Sequence, residues 1–417
     1  MPATTIQPKN HLLYIDSIRA LAALYVVMHH AVLQFYDTTM GPYKDITDYH
    51  LSTVQKLIVA IFYHGHYSVD LFIVVSGFSL MLSVTKNGNL KGGILLFLKR
   101  RVIRILPPYY FAMLLSAILI WLLVGTKTQT IWDLSVPIDL RDILTHVFVV
   151  HDFFSSNYYK INYPFWSIAV EFRIYLFFPF LIWVWKKWGL VPVVYTATII
   201  SIVGSLILLW LKQSHPNLST DTVGVSPYII LFTFGMLAAD LSLSKSAIAD
   251  KIKKSYQATS PIVTIIILGV FFAGCAVVRH YLKSDNVYFR QLGIPDKIFD
   301  ILLGAFFGFV LFVCSIPSKN GGIFWLTKIL SWRPLVLIGT FSYSLYLIHA
   351  PLLALLYQYV IISLNLGRFT ACMVLLTGGT MAVTVVAYFF FYLFERPFLT
   401  MGKKTDVAKA AVIEPAP

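Results

Sequence analysis

Charged residues are scarce in this sequence of 417 residues. Only 12% of the residues are Asp, Glu, Lys or Arg, whereas a soluble domain has about 25%. Hydrophobic residues make up 58%, and the mean hydropathy is +0.75. Because so little charge cannot cover a soluble fold, the composition excludes an ordinary soluble enzyme and predicts a polytopic membrane protein.

Cysteine is also rare. Cys275, Cys314 and Cys372 are the only three, and each falls within an apolar run. This odd and scattered set offers neither a disulfide framework nor the spacing of a metal site. We expect all three to be buried as small apolar side chains.

Long apolar runs, in contrast, are abundant, and about 20 such residues make one membrane-spanning helix. They predict an all-α fold with about ten transmembrane helices, over residues 12–36, 58–84, 105–124, 166–185, 190–211, 226–243, 260–280, 298–316, 335–361 and 370–394. Residues 1–11 then form an N-terminal segment, 12–399 the transmembrane domain and 400–417 a disordered tail.

The balance of charge is basic, with 33 Lys and Arg against 19 Asp and Glu and a net charge of +14. If the N-terminus is cytoplasmic, 20 of the 33 cations lie in cytoplasmic segments and 11 in the opposite loops, while Arg19 and Arg173 lie within spans. This bias follows the positive-inside rule and predicts that both termini are cytoplasmic. We therefore expect membrane lipids, and no nucleic acid, as partners.

The first span contains an unusual set of ionisable residues in RALAALYVVMHH (19–30). Eleven helical steps turn the chain by about 1100° and raise it by about 16 Å, so Arg19 and His30 share one face, while His29 lies about 100° away. Asp16 can neutralise Arg19 from three residues earlier. A structural alternative is that Asp16 and Arg19 reach the interface and His30 makes one interhelical hydrogen bond. Ionisable groups inside membranes usually mark a pathway or a site, which favours a functional His30.

A second basic element is ILLFLKRRVIRILPPYY (94–110). The pattern predicts an amphipathic interfacial helix that breaks at Pro107 and Pro108 before the third span. Its cations could hold anionic lipid or the phosphates of a cofactor, and charge alone favours lipid. These cations are Lys99, Arg100, Arg101 and Arg104.

Two further features are ambiguous. The connection over residues 125–165 is acidic and aromatic, which suits sugars, although an interfacial aromatic belt is the simpler interpretation. His64 and His66 form an H-x-H pair. With only two imidazoles and no carboxylate at ligand spacing, we expect no metal there.

Six segments, in order along residues 12–400, together carry a known pattern. They are IDSIRALAALYVVMHH (15–30), VDLFIVVSGFSL (69–80), RVIR (101–104), NYPFWSIAVEFRIYLFFP (162–179), FSYSLYLIHAPLL (341–353) and Glu395 with Pro397. This combination resembles the acyltransferase-3 family of integral membrane acyltransferases.

The resemblance implies an O-acyltransferase of the bacterial inner (plasma) membrane. It would move an acyl group, usually acetyl, from cytoplasmic acetyl-CoA to a hydroxyl of an extracytoplasmic glycan, a lipid-linked saccharide or another envelope acceptor. Many relatives carry an additional esterase-like domain outside the membrane, and we expect this chain to be the standalone form. The implied catalytic residues are His30, Glu171 and Asp70, and those implied to bind acyl-CoA are Arg19, Arg101 and Arg104.

The predicted topology suggests a mechanism. The three arginines would grip the donor at the inner face, while the acidic and imidazole groups collect in the outer half of the membrane. His30 would act as general base or be acylated itself as a relay, and Asp70 or Glu171 would fix its tautomer. We expect His349, beside Pro351, to secure a kinked helix rather than to react.

The alternative function is a secondary transporter of a small anionic or sugar-like solute, since buried charges and many spans suit transport as well. Transporters usually show repeated halves with paired broken helices. No such repeat relates residues 12–211 to 226–394, which favours the enzyme.

Overall fold

The regular structure of this chain is helical. The computed structural model describes residues 12–35, 51–219, 227–282, 294–316 and 325–399. Within them, one isolated antiparallel bridge joins Phe154 to Leu218. The all-α prediction is confirmed, whereas the predictions for the segments 1–11 and 400–417 lie outside the described residues.

Sixteen α-helices follow one another along the described residues. The first eight are α1 (Leu13–Leu33), α2 (Thr53–Ile61), α3 (His66–Asn87), α4 (Gly93–Leu119), α5 (Leu140–Val147), α6 (Trp166–Trp188), α7 (Leu190–Ser214) and α8 (Tyr228–Leu243). The others are α9 (Ala247–Ala258), α10 (Pro261–Leu282), α11 (Ile294–Ser315), α12 (Trp325–Ile329), α13 (Arg333–Thr340), α14 (Ser342–Leu356), α15 (Arg368–Val374) and α16 (Thr380–Phe390).

The helices agree with a multi-pass membrane protein. Among the described residues, eight helical segments are long and apolar enough to cross a membrane, or nine if α8 and α9, which meet at 83°, count as one broken span. Helix α10 contains the apolar stretch Ile262–Val278, which is shorter than these eight segments. Each of the ten predicted spans coincides with one of these helical segments.

One predicted boundary is wrong. We expected the basic element at 94–110 to break at Pro107 and Pro108, but α4 continues through both prolines. A neighbouring helix supports this turn, because the Tyr343 hydroxyl donates to the Ile105 carbonyl over 3.0 Å. Prolines are tolerated in spans where neighbours satisfy nearby backbone groups in this way. The basic cluster is therefore part of the spanning helix.

Helices α3 and α8 pack at very short range. A Cβ atom added to Gly77 would lie 2.0 Å from the Phe232 carbonyl oxygen, and one added to Gly235 would lie 1.9 Å from the Val74 carbonyl oxygen. Without a side chain at these two positions, the backbones can touch, as is common between helices in membranes. Gly77 and Gly235 are therefore the positions at which α3 and α8 approach most closely in this contact.

The connection 125–165 is folded rather than open. Trp132 is fully buried and donates its indole N–H to the Val124 carbonyl over 2.7 Å. Asp139 and Asp142 form a capping box at the start of α5, and Asp152 pairs with Arg173 of α6, with one N–H···O distance of 2.9 Å. These carboxylates stabilise the connection, which explains the cation at position 173.

The end of this connection enters the helix bundle. Asn162 is fully buried, and its amide donates to the Leu347 carbonyl over 2.9 Å and to the Ser116 hydroxyl over 3.2 Å. Tyr163 to Phe165 form a buried turn, from which α6 begins at Trp166. Helix α6 therefore starts within the bundle. All three cysteines are buried, as expected.

Candidate active site

A cavity of about 320 Å³ lies between α3, α4, α6 and α14, with α1 contributing Arg19. Its lining on α3 runs from Val69 to Val84, which corresponds to about 22 Å along the helix axis. Close in sequence to the Val84 end, the lining is cationic, with Lys91, Arg100, Arg101 and Arg104. Further polar residues of the lining are Ser76, Ser79, Ser167, Glu171, Tyr175, Ser342, Tyr343 and Tyr346.

All three arginines predicted to bind the donor line this one cavity. Arg19 donates to the Ser79 hydroxyl over 3.0 Å and lies 3.7 Å from Asp16, the expected neutralising partner. Arg101 lies over the Tyr175 ring at 5.9 Å. In the part of the chain that the structure describes, neither Arg101 nor Arg104 forms a salt bridge. Their charges are thus available to an anionic ligand.

Glu171 belongs to the same cavity, and this corrects its predicted place. We expected its carboxylate in an outer tier with the imidazoles, but it lines the cavity with the arginines. The Ser76 hydroxyl donates to Glu171 over 2.8 Å, and the Tyr175 hydroxyl donates to the same carboxylate oxygen. The reason is that α6 begins inside the bundle, so that Glu171, five residues after Trp166, lies beside Ser76 of α3.

His30 faces the bundle interior, where it meets a second imidazole. Its Nδ1 lies 2.7 Å from Nε2 of His349, and the rings stack with centroids 4.9 Å apart. Tyr163, from the buried turn before α6, contacts the His30 ring edge-on at 4.8 Å. The partner of His30 is therefore His349, and the expectation that Asp70 or Glu171 would fix its tautomer is wrong.

The hydrogen bonds around this pair define the tautomers. Nδ1 of His349 lies 2.6 Å from the Tyr346 carbonyl oxygen, which can only accept, so this nitrogen carries a proton. In a neutral imidazole the other nitrogen is then an acceptor, and Nδ1 of His30 must donate to it. This leaves the lone pair on Nε2 of His30, which makes no hydrogen bond to any described residue. The arrangement presents a base.

Tyr346 connects the imidazole pair to the cavity. Its side chain lines the cavity, and its hydroxyl lies 2.6 Å from the Ser167 hydroxyl. Its carbonyl orients His349, one turn further along α14. Neither His30 nor His349 is part of the lining, so Tyr346 stands between the two.

Asp70 lies elsewhere. It is fully buried on α3, and its carboxylate lies near His66 and Asp300 rather than beside the imidazole pair. The structure thus brings together Arg19, Arg101, Arg104 and Glu171, places His30 one residue beyond the cavity wall, and separates Asp70 from them.

Sequence reasoning missed two neighbours of His30. His349 was expected to have a structural role, although its place in a span beside Pro351 was a signal that it could meet another ionisable group. Tyr163 was assigned to an aromatic belt, and the buried turn that carries it has no periodic signal.

Comparison with known proteins identifies the family. Residues 12–394 match the acyltransferase-3 family, described as "Acyltransferase domain". O-acetyltransferase OatA of Staphylococcus aureus is 26% identical over 318 residues, or 71% of this chain and 47% of the relative. Peptidoglycan O-acetyltransferase OatA of Listeria monocytogenes is 24% identical over 376 residues, or 85% and 51%. The chain thus spans about half the length of these curated relatives, and no solved structure matches it. On the match across nearly its whole length, the chain belongs to the acyltransferase-3 family of membrane proteins.

Proposed function

We propose that this chain transfers an acyl group, most simply acetyl, from cytoplasmic acyl-CoA to a hydroxyl of an envelope glycan. The observation that carries the proposal is a cavity, about 22 Å long on α3, that runs from a cluster of arginines to Tyr346. The carbonyl of Tyr346 orients a pair of imidazoles, one of which presents a free basic nitrogen. In a phosphate-bearing thioester, the phosphates suit the arginine cluster and the thioester suits the end of the cavity near Tyr346.

The donor would enter at the cationic end of the cavity. Arg101 and Arg104, assisted by Arg19, would form charge-assisted hydrogen bonds to the phosphates of coenzyme A. The narrow, uncharged arm would follow α3, and the thioester would lie near Tyr346. Glu171, held by two hydroxyl groups, would position the arm rather than exchange protons with His30.

The reaction at His30 is then general-base catalysis. Nε2 accepts the proton of the acceptor hydroxyl while the oxygen attacks the thioester carbonyl. His349 stabilises the resulting imidazolium, because its Nε2 accepts the Nδ1 proton of His30. As the C–S bond breaks, the thiolate leaves and receives the proton. In the relay version, Nε2 attacks the thioester carbonyl, the C–S bond breaks and the thiolate leaves. The acceptor hydroxyl then attacks the acyl carbon, the C–N bond to the imidazole breaks, and the hydroxyl proton neutralises the thiolate.

The acceptor is proposed from the relatives. Their names are O-acetyltransferase and peptidoglycan O-acetyltransferase, which supports acetyl as the group and a glycan or lipid-linked saccharide of the bacterial plasma membrane as the acceptor. No comparable feature favours the transporter alternative, which predicts uptake of solute without consumption of acetyl-CoA.

A binding experiment tests the donor site. For the purified chain in nanodiscs, we expect coenzyme A affinity to fall by at least about tenfold in Arg101→Ala with Arg104→Ala, since each charge-assisted bond contributes about 1.5–3 kcal/mol. Lys99→Ala is the matched control, because Lys99 is exposed on the same helix and does not line the cavity. Equal affinity in the double variant and in Lys99→Ala would contradict the proposed donor site.

A turnover experiment tests the base. With labelled acetyl-CoA and membranes containing the native acceptor, we expect His30→Ala to lower transfer by about 10²–10⁴-fold, the usual contribution of general-base catalysis. Coenzyme A affinity should remain unchanged, because His30 does not line the cavity. Full transfer by His30→Ala would rule out both versions of the mechanism.

A further inference from the structure

A second polar cluster lies outside the cavity, at the start of α3. His66, Asp70 and Asp300 each bring one possible ligand atom within 4.8 Å of the others. His66 and Asp70 are one turn apart on α3, and Asp300 is on α11, which packs against α3. Nε2 of His66 lies 3.3 Å from Oδ2 of Asp300.

Three of the four carboxylate oxygens of this cluster lack a hydrogen-bond partner among the described residues, and the fourth, Oδ2 of Asp300, faces His66. Asp70 is 0% exposed and Asp300 is 4% exposed. Among the described residues, neither oxygen of Asp70 and not Oδ1 of Asp300 has a hydrogen-bond partner. Burying carboxylate oxygens without partners is costly, and the imidazole of His66 reaches only Oδ2 of Asp300, so the remaining oxygens favour a further positive species between the two carboxylates.

A proton would satisfy this cluster only in part. One shared proton makes one O–H···O hydrogen bond between the two carboxyl groups and leaves other buried oxygens without a donor. A cation with several open coordination positions can draw on both carboxylates and on the imidazole at once. The cluster has three donors, which come from two helices, as in a metal site.

We propose that His66, Asp70 and Asp300 bind a divalent transition-metal ion, Zn²⁺ or Mn²⁺. One nitrogen and two carboxylate ligands suit these ions, whereas Ca²⁺ and Mg²⁺ prefer oxygen alone. The 3.3 Å between His66 and Asp300 fits two ligands about 2 Å from one ion at a tetrahedral angle.

The surroundings allow an ion to enter. The His66 side chain is 44% exposed, so one edge of the cluster is open. Asp296 is exposed one turn before Asp300 on α11 and adds negative charge near this edge. Three protein ligands leave at least one coordination position for water. The ion would join α3 to α11.

The site runs against the expectation of no metal. It rested on the imidazoles of His64 and His66 and on the apparent lack of a carboxylate at ligand spacing. Asp70, however, is four residues after His66 and shares its helix face. Asp300 is more than 200 residues away in sequence, and only the packing of α11 brings it close. His64 is not part of the cluster.

The test measures metal binding by the full chain in detergent, without reference to acyl transfer. After treatment with a chelator, Zn²⁺ and Mn²⁺ are titrated by calorimetry, and bound metal is counted by mass spectrometry. We expect about one ion per chain. In Asp300→Asn and in His66→Gln we expect affinity to fall by at least about 10–100-fold, the cost of losing even a partner that supports a ligand, because here the ligand itself is lost. His64→Gln is the matched control and should bind like the parent chain.

The proposal would be overturned if the chelated parent chain took up neither ion, or if His66→Gln and His64→Gln bound equally well. The first result would leave a shared proton as the species between the carboxylates. If Asp300→Asn does not fold, His66→Gln decides the question, because His66 lies at the open edge. Co²⁺ gives an independent readout, since the visible absorption of a bound ion should be present in His64→Gln and absent in His66→Gln.

Discussion

The base proposed at His30 depends on a second residue for its proton arrangement. His349 is fully buried and donates to the Tyr346 carbonyl, so only its Nε2 can accept from His30. Removal of this acceptor would free the His30 ring to rotate and to place its proton on Nε2. His349 is thus a positioning residue, which acts through His30 rather than on the substrate.

We therefore expect His349→Gln to lower kcat by about 100-fold or more, comparable to the loss of an orienting group in other imidazole-based sites. Coenzyme A affinity should not change. Lys99→Ala is the control, because Lys99 is exposed and does not line the cavity. A His349→Gln chain with the kcat of Lys99→Ala would show that His349 does not position His30.

Single residues were predictable where a helix alone relates them. Arg19 and His30 were placed on one helix face because they are eleven helical steps apart. The pairing of Asp16 with Arg19 follows from a separation of three residues. The His30–His349 pair and the true position of Glu171 were not predictable in this way. The pair depends on the packing of α14 against α1, and the position of Glu171 depends on how the connection 125–165 enters the bundle ahead of α6.

At the scale of helices, the close contact of α3 with α8 fixes the part of α3 that lines the cavity at Ser76. We expect Gly77→Ala to destabilise the chain by about 1–3 kcal/mol, because its Cβ would meet the Phe232 carbonyl at 2.0 Å and the backbones would have to separate. Gly269→Ala on α10 is the control, since a Cβ there has no neighbour within 4 Å. The measurement is thermal unfolding in detergent, and equal midpoints for the two variants would contradict the close contact.

The connection 125–165 should make stability depend on pH. His146 and His151 are buried and stacked, with ring centroids 3.8 Å apart. Burial lowers the pKa of His146 to about 4, and burial together with the neighbouring His146 lowers the pKa of His151 well below its usual value. The folded chain binds fewer protons than the unfolded chain, so unfolding becomes easier as pH falls from about 6.5 towards 4.

The lowered pKa of His146 alone contributes up to about 3 kcal/mol to the free energy of unfolding, and this contribution is lost as the pH falls through that range. We expect the thermal midpoint to fall between pH 7 and pH 4.5, and to fall less in His151→Phe, which keeps an aromatic ring but cannot take up a proton. His215→Gln, which alters an exposed imidazole, should behave as the parent chain does. An unchanged pH dependence in His151→Phe would exclude the stacked pair as its cause.

Elements were predictable from length and apolarity, because a span must be about 20 residues long whatever it packs against. Each predicted span therefore coincides with a helix. The prediction at Pro107 and Pro108 was wrong because there a contact between helices, rather than local sequence, decides the structure. Local preference ends a helix at proline, but in α4 the hydroxyl of Tyr343 from α14 supports the turn, and this distant contact leaves no trace in the sequence around the prolines.

For the whole molecule, sidedness is the remaining requirement of the proposed function. Acyl-CoA is made in the cytoplasm, so the cationic end of the cavity must face that side. The positive-inside bias of 20 cations against 11 predicts this orientation.

Single introduced cysteines test this orientation in intact cells with a membrane-impermeant maleimide. Native Cys275, Cys314 and Cys372 are buried, so background labelling should be low. Ser156→Cys, in the exposed part of the connection 125–165, should be labelled at once. Lys187→Cys, at the other end of α6, and Ala410→Cys should be labelled only after permeabilisation, since α6 crosses once and the ten predicted spans return the chain to its first side. Labelling of Lys187→Cys from outside would place Arg101 and Arg104 away from the acyl-CoA pool and would contradict the proposed direction of transfer.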